Sequence, residues 1–242
     1  MTAKIIFIFG MHRSGTSCLA GSLREHGVFF GPVKEESYGN PKGNQEIRDV
    51  WRLSDRMFRA ASASWENPCI IDKWSDEDAR DRDALLEVFT HQRCWALKDP
   101  RLLFTHTFWS EHIRPTPVYL ASFRHPAAVI ASIFKRDQLS PIRSLKIWKA
   151  YNRRLLLLIG ELDIRLVCFD ELSVQYLDRI RHLFDEVGLR CDGGFRFFEE
   201  TFRSAPEVTA FPDEESETIY TTLLEHYKIQ VAQTVSRTER GP

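Results

Sequence analysis

The segment GMHRSGTS, residues 10–17, contains two glycines, three hydroxyl side chains and an arginine between a strand-like run and a helix-like run. Backbone N–H groups and the helix dipole favour an anion at such a turn. The spacing of Gly10 and Gly15 is that of a nucleotide-binding phosphate loop, but Thr16 stands where nucleoside triphosphatases have lysine. Arg13 provides a positive charge three positions earlier. The segment therefore predicts an oxyanion cradle for a shorter polyanion than a metal-bound triphosphate, with added hydroxyl donors from Ser14, Thr16 and Ser17.

A second arginine, Arg124, follows another strand-like run, and Pro126 sets the start of a helix that carries Ser132 two turns on. Ligands of open parallel sheets bind beyond the carboxyl ends of the strands. A phosphate held by Arg124 and Ser132 would therefore lie close to the 10–17 loop. Alone, the pair is better explained by a surface arginine and a helix-lining serine.

A third cluster, ALKDPRL at residues 96–102, places Lys98, Asp99 and Arg101 at one strand end. One interpretation is a solvated ion-pair network at the strand terminus. The other is a kinase-like site in which Asp99 binds Mg²⁺, an interpretation weakened by the missing loop lysine.

The composition of the 242-residue chain is that of a soluble globular protein, with 43% hydrophobic residues, 28% charged residues and a formal net charge of −1. It gives no electrostatic reason to bind nucleic acid or an anionic membrane. The longest apolar runs, 5–9 and 155–159, are too short for a transmembrane segment, and no signal peptide is recognisable. We expect a cytoplasmic protein. Its five cysteines show no metal-ligand spacing, so we expect reduced thiols and no metal site.

Strand-like runs alternate with helix-like segments along the chain, which is typical of βαβ units around a parallel sheet. We therefore predict an α/β fold in a single domain over residues 1–235, with residues 236–242 frayed. The predicted strands are Lys4–Phe9, Cys94–Lys98, Val118–Phe123 and Arg165–Phe169. The predicted helices cover 15–26, a segment from 46, 75–89, 102–113, 126–136, 141–159, 174–188 and 216–231.

From residue 5 to about 189, the order and spacing of these clusters resemble those of sulfotransferases that use 3′-phosphoadenosine 5′-phosphosulfate (PAPS). FGMHRSGTS resembles the family's 5′-phosphosulfate loop and FRHPAAVIAS its 3′-phosphate motif, while NPKGNQE, LKDPRL and WKAYNRRLL resemble segments of its bacterial and Golgi-like branches. The resemblance implies a three-layer α/β/α domain with a central parallel sheet, similar to P-loop nucleoside triphosphatases. It also implies PAPS as co-substrate without a bound metal. The phosphosulfate would bind Arg13, Ser14, Gly15, Thr16 and Ser17, and the 3′-phosphate would bind Arg124 and Ser132.

The resemblance further implies in-line transfer of a sulfuryl group to a hydroxyl or amine, for which a carbohydrate or glycoconjugate is the favoured acceptor. Arg13 would stabilise the charge that grows on the bridging oxygen. Glu46 is the preferred general base, although a glutamate at a helix start is often only a partner of the helix dipole. Glu35 and Glu36 are the next candidates. His12, which adjoins the loop, is a further catalytic candidate, or it simply orients the turn. Lys42 and Lys98 could steer an anionic donor or acceptor, or be ordinary surface charges.

Two features depart from the wider family. The cytosolic branch has a late glycine-rich segment, in whose place this chain has only the basic, aromatic segment GGFRFFEETFR at 193–203. The loop 30–45 is also short and polar. The acceptor pocket would then be open or completed by another chain, and the oligomeric state stays undetermined. Two alternatives also remain: a phosphotransferase that uses ATP and Mg²⁺, and a non-catalytic domain that binds adenosine bisphosphate.

Overall fold

The computed structural model describes residues 3–33, 40–191, 193–200 and 210–239. Within them, β1 (Lys4–Phe9), β2 (Cys94–Lys98), β3 (Val118–Phe123) and β4 (Ile164–Cys168) form a parallel sheet in the order β2-β1-β3-β4. Three of the predicted strands have these same bounds, and the fourth lies one residue earlier than predicted. The predicted parallel α/β architecture is confirmed.

Each segment predicted to be helical contains a helix. In chain order these are α1 (Thr16–Glu25), α2 (Arg48–Ala60), α3 (Asp76–Leu86), α4 (Leu102–Ser110), α5 (Pro126–Asp137), α6 (Pro141–Glu161), α7 (Ser173–Glu186) and α8 (Glu214–Glu239). A short 3₁₀ turn, Glu87–Phe89, follows α3.

The end of α8 corrects the sequence prediction. The helix was expected to end at residue 231, but it continues to Glu239. Polar contacts hold this half of the helix: the side-chain amide of Gln230 donates to the Ile164 carbonyl (2.7 Å) and accepts from the Leu166 N–H (2.8 Å), at the edge of the sheet. The Thr234 hydroxyl donates to Glu186 of α7 (2.5 Å). An apolar stripe alone could not reveal these anchors.

The sheet lies between two layers of helices because alternate side chains of its strands point to opposite faces. Ile5, Phe7 and Phe9 of β1 belong to one hydrophobic cluster, together with residues of α2, α4, α5, α6 and α8. Ile6 and Ile8 belong to the other, with residues of α1 and α7. This is the three-layer α/β/α arrangement implied by the resemblance.

The carboxyl ends of the four strands meet at one edge of the sheet. Ile8 of β1 is in register with Lys98 of β2, and Phe123 at the end of β3 is in register with Cys168 of β4. β2, the next strand in the chain, lies on one side of β1, and β3 lies on the other side. The strand order therefore reverses at β1, and ligands of open α/β sheets bind at such a switch point. The three chemical clusters of the sequence follow these strand ends.

Candidate active site

The 10–17 loop takes a backbone path that requires glycine. Gly10 has φ +132° and Gly15 has φ +85°, both in the region that side chains disfavour. A Cβ at Gly10 would lie 2.3 Å from the Ser122 carbonyl oxygen, and one at Gly15 would lie 2.3 Å from the Phe169 ring. The Ser122 hydroxyl also donates to the Ser14 carbonyl (2.6 Å), which fastens the loop to β3.

Arg13 joins the loop to the second predicted anion site. Its Nε donates to the Ser132 hydroxyl oxygen at 2.7 Å. Burial, followed by the charges of Arg136 and Arg124, lowers the pKa of Arg13 to about 10. The side chain is therefore still charged at neutral pH, but it lies among cations, which favours the binding of an anion there.

Arg124 is nearly buried beside the same loop. Its Nη1 donates to the Arg13 carbonyl (3.5 Å), its guanidinium lies 5.2 Å from the centre of the Phe169 ring, and its backbone carbonyl accepts from the Trp148 indole (3.0 Å). The structure thus brings Arg13, which is far away in sequence, to the same place as Arg124 and Ser132.

Lys98, which is buried, and Glu46, which is partly buried, form a pair on the other side of the loop. The Lys98 Nζ lies 2.5 Å from Glu46 Oε1, and it donates to the Asn44 carbonyl (3.0 Å) and the Ser17 hydroxyl (3.4 Å). Burial raises the pKa of Glu46 above its usual value, although the charge of Lys98 opposes that shift. A carboxyl group tuned in this direction suits a general base.

His12 is a neutral, partly buried imidazole at the same cavity. Its ring lies against the rings of Trp65 (5.1 Å between centroids) and Tyr151 (6.0 Å), and its Nε2 has no hydrogen-bond partner among the described residues. Burial and then the charges of Arg101, Arg136, Lys98 and Arg13 hold the pKa of His12 well below its usual value.

The strand end at 98–101 contains the ion pair that the first interpretation of ALKDPRL anticipated, though it is buried rather than solvated. Asp99 is fully buried, and its Oδ1 accepts from the Arg101 backbone N–H (2.9 Å) and Nη1 (3.1 Å). Arg101 also lies over the exposed Trp51 ring at 5.6 Å. Lys98 alone of these three lines the cavity.

The 10–17 loop, Arg124 with Ser132, and the Glu46–Lys98 pair line one cavity of about 480 Å³. All the predicted site residues border it except Ser14, whose side chain is buried beneath the loop. The lining carries six cationic side chains against two carboxylates, which suits a polyanion. Its further residues, which the sequence interpretation did not single out, are Cys18, Asn40, Pro41, Asn44, Lys135, Arg136, Phe169, Phe197, Phe198 and Glu199.

The missed residues carried weak sequence signals. Lys135 and Arg136 lie in the last turn of α5, the helix that contains Ser132, so helical spacing could have suggested them. Phe197 and Phe198 come from the segment identified as a stand-in for the glycine-rich region. Nothing in the sequence showed which of its aromatic residues would face the cavity.

Lys42 lies at the cavity wall, bonded to the late segment of the chain. Its Nζ donates to the carbonyls of Arg196 (2.7 Å) and Phe197 (2.9 Å), and it pairs with Glu199 (2.6 Å). It therefore connects the loop before α2 to residues 193–200. The other base candidates, Glu35 and Glu36, lie outside the described residues.

Three further observations concern only the described part of the chain. It holds no group of three or more histidine, cysteine, aspartate or glutamate side chains arranged to bind a metal. The five cysteines are free thiols, and Cys168 is the buried one among them. None of the described helices is both long and apolar enough to cross a membrane.

Two solved structures that resemble this chain are sulfotransferase domains. One, from the curacin biosynthetic pathway, has a TM-score of 0.58 at 16% identity and covers 92% of this chain and 98% of its own. The other, from the olefin synthase of Synechococcus PCC 7002, has a TM-score of 0.58 at 18% identity, with 92% and 95% covered. Comparisons with family models and with curated proteins give no match. The chain therefore has the fold of these sulfotransferase domains, as the sequence resemblance implied.

Proposed function

We propose that this protein is a sulfotransferase that uses PAPS as the donor and a hydroxyl group, favoured to be that of a carbohydrate or glycoconjugate, as the acceptor. The observation that carries the proposal is the Arg13–Ser132 hydrogen bond, which joins two anion sites at one cavity. A donor with a phosphosulfate at one end and a separate phosphate on its ribose needs two such sites. ATP has no 3′-phosphate for the second.

The glycine-dependent loop and its cations fit the donor's 5′ end. Residues 13–17 would surround the phosphosulfate, with Arg13 on one side and Lys98 on the other. Lys98 reaches the loop from β2, so a positive charge lies near the position that the absent loop lysine would serve. Arg124 and Ser132 would hold the 3′-phosphate. With these two residues, both anionic ends of PAPS have side chains to bind them, and no metal ligand is needed.

The donor supplies the sulfuryl group, and the side chains of this chain bind it and move the proton. As the acceptor oxygen forms its bond to sulfur, the bond from sulfur to the bridging phosphate oxygen breaks. Glu46 takes the acceptor's proton, and Arg13 with Lys98 stabilises the negative charge on the departing adenosine 3′,5′-bisphosphate. His12, held neutral at the cavity, is the second candidate for the base.

Thermal unfolding with added ligands tests the donor assignment. A ligand that binds only the folded state stabilises it by about 2.7 kcal/mol at a hundred times its Kd. We expect adenosine 3′,5′-bisphosphate to raise Tm more than ADP with Mg²⁺ does. Arg124→Ala should abolish that preference. Arg154→Ala, which removes an arginine bonded to the Leu103 carbonyl elsewhere, should preserve it. Stabilisation by ADP with Mg²⁺ alone would support the phosphotransferase alternative and overturn the proposal.

Transfer of radiolabelled sulfate from PAPS to saccharides, lipids, phenols and peptides tests the reaction itself. Glu46→Gln should leave bisphosphate binding nearly intact and lower turnover by at least about a hundredfold, the usual contribution of a general base. If His12→Asn has that effect and Glu46→Gln does not, the base assignment passes to His12. Bisphosphate binding without transfer to any acceptor class would favour the non-catalytic domain.

A further inference from the structure

Asp170, the second residue after β4, links Arg124 to two other elements. Its Oδ1 lies 3.6 Å from Arg124 Nε. Its Oδ2 accepts from the His125 backbone N–H at 2.6 Å and from the Tyr220 hydroxyl at 3.0 Å. One carboxylate oxygen is thus held by two donors, and because the two oxygens are rigidly joined, the other is fixed toward the guanidinium.

Tyr220 brings the last helix into this arrangement. It lies in α8, nearly buried, and its ring packs against those of His125 (5.1 Å), Phe123 (5.8 Å) and Phe211 (5.8 Å). Burial, then Cys168 and Asp170, raises the pKa of Tyr220, so its hydroxyl stays protonated and donates to Asp170. The contact reaches Arg124 from a residue almost a hundred positions away in the sequence.

Arg124 needs such support because it lies close to another cation, Arg13, whose pKa the charge of Arg124 helps to lower. In the absence of a ligand, an arginine in this environment would be repelled toward solvent. The Asp170 carboxylate and the Phe169 ring, which both lie against the Arg124 guanidinium, oppose that displacement. A preorganised side chain loses less entropy when it binds its ligand.

We propose that Asp170 is the positioning residue that holds Arg124 ready for the ligand's 3′-phosphate, and that Tyr220 of α8 holds Asp170. The inference rests on the proposed function, since it takes Arg124 as the 3′-phosphate residue. It assigns a part in donor recognition to α8, none of whose described side chains lines the cavity.

Calorimetric titration with two nucleotides separates positioning from general stability. Adenosine 3′,5′-bisphosphate and adenosine 5′-monophosphate differ only in the 3′-phosphate, so the ratio of their affinities reports on Arg124. Asp170→Asn should weaken bisphosphate binding by about tenfold and monophosphate binding by less than about twofold. With its oxygen kept by the His125 and Tyr220 donors, the asparagine would turn its NH₂ group toward Arg124 and displace it.

The sign of the change is decisive. If Asp170 acted only through its charge, its removal beside Arg124 would strengthen the binding of an anion. Tighter or unchanged bisphosphate binding by Asp170→Asn therefore overturns the proposal. In an Arg124→Ala background, Asp170→Asn should cause no further loss of the affinity ratio, and an additive loss would count against coupling between the two residues.

Tyr220→Phe gives a second, milder test with a matched control. It should lower the affinity ratio by about threefold, because it removes one donor to Asp170. Tyr227→Phe removes a similar contact from the same helix, the hydroxyl bond to Glu171 (2.5 Å), and should leave the ratio within about twofold. If Asp170→Asn fails to fold, the comparison of Tyr220→Phe with Tyr227→Phe tests the proposal instead. Equal ratios of bisphosphate to monophosphate affinity in these two variants refute it. If the proposed function itself is wrong, the result is different: the unmodified protein binds adenosine 3′,5′-bisphosphate and adenosine 5′-monophosphate with equal affinity.

Discussion

At the scale of single residues, the position of Lys98 brings a cation to the 10–17 loop, which has no lysine of its own. Parallel pairing sets Lys98 of β2 beside Ile8 of β1, two residues before the loop begins. Its Nζ then reaches Ser17 and Glu46 together. The sequence analysis assigned Lys98 to a cluster at the end of a predicted strand. Only the pairing of β2 with β1 shows that this cluster adjoins the 10–17 loop.

The Glu46–Lys98 pair predicts how activity depends on pH. A carboxylate base works only when deprotonated, so kcat/KM should fall as the pH drops through the pKa of Glu46, which burial has raised. Lys98 lowers that pKa, so Lys98→Met should raise it and move the acid limb upward by about one pH unit. Lys149→Met, which removes a lysine paired with Asp213 away from the cavity, should leave the limb unmoved. An unchanged limb in Lys98→Met would mean that another group is the base.

At the scale of elements, two segments for which the sequence predicted neither a helix nor a strand form one wall of the cavity. Residues 193–200 lie against α1, where the Phe197 ring covers Gly21, and Lys42 ties them to the loop before α2. Glycine at position 21 permits this approach, since a Cβ there would lie 2.3 Å from the ring. Sequence patterns missed the contact because neither segment has the periodicity of a helix or strand.

A pair of glycine substitutions tests this wall. Gly21→Ala should force the Phe197 ring out of place and weaken binding of adenosine 3′,5′-bisphosphate severalfold, about fivefold at a cost near 1 kcal/mol. Gly160→Ala is the matched control, because that helical glycine faces open space. It should leave affinity unchanged and stabilise the fold by about 0.5 kcal/mol. Calorimetric affinities and urea unfolding of both variants provide the comparison, and equal affinities would show that the ring does not shape the site.

At the scale of the whole molecule, the sequence predicted the sheet and the helices well because their apolar periodicity is strong. From local motifs it predicted ten of the residues that line the cavity, but their mutual contacts depend on strand order, which no local pattern contains. Sequence patterns also failed to predict burial where a polar side chain, rather than an apolar one, packs into the interior. In α3, the apolar residues Ala79, Leu85 and Leu86 are only partly buried, and Arg82 is the fully buried residue.

Arg82 fastens α3 to the end of α4. Its Nη1 donates to the Phe108 carbonyl (2.9 Å) and to Glu111 (2.6 Å), its Nε donates to Asp83 (2.9 Å), and its guanidinium lies over the Phe108 ring. The Phe108 carbonyl belongs to the last turn of α4, where carbonyls lack partners within the helix. The arginine therefore satisfies a buried group that would otherwise be left without a hydrogen bond.

We expect Arg82→Met to lower the free energy of unfolding by about 2–3 kcal/mol, the cost of leaving that buried carbonyl without a donor. The two carboxylates add little to this cost, because both are partly exposed and water can solvate them. Arg56→Met removes another arginine that pairs with two carboxylates, Asp78 and Asp81 of α3, but Arg56 is 41% exposed and its loss should cost below about 1 kcal/mol. Urea unfolding measures both, and equal costs would show that burial of Arg82 adds nothing. Because Arg82 does not line the cavity, the variant should bind adenosine 3′,5′-bisphosphate with unchanged affinity, which separates stability of the fold from the chemistry at the strand ends.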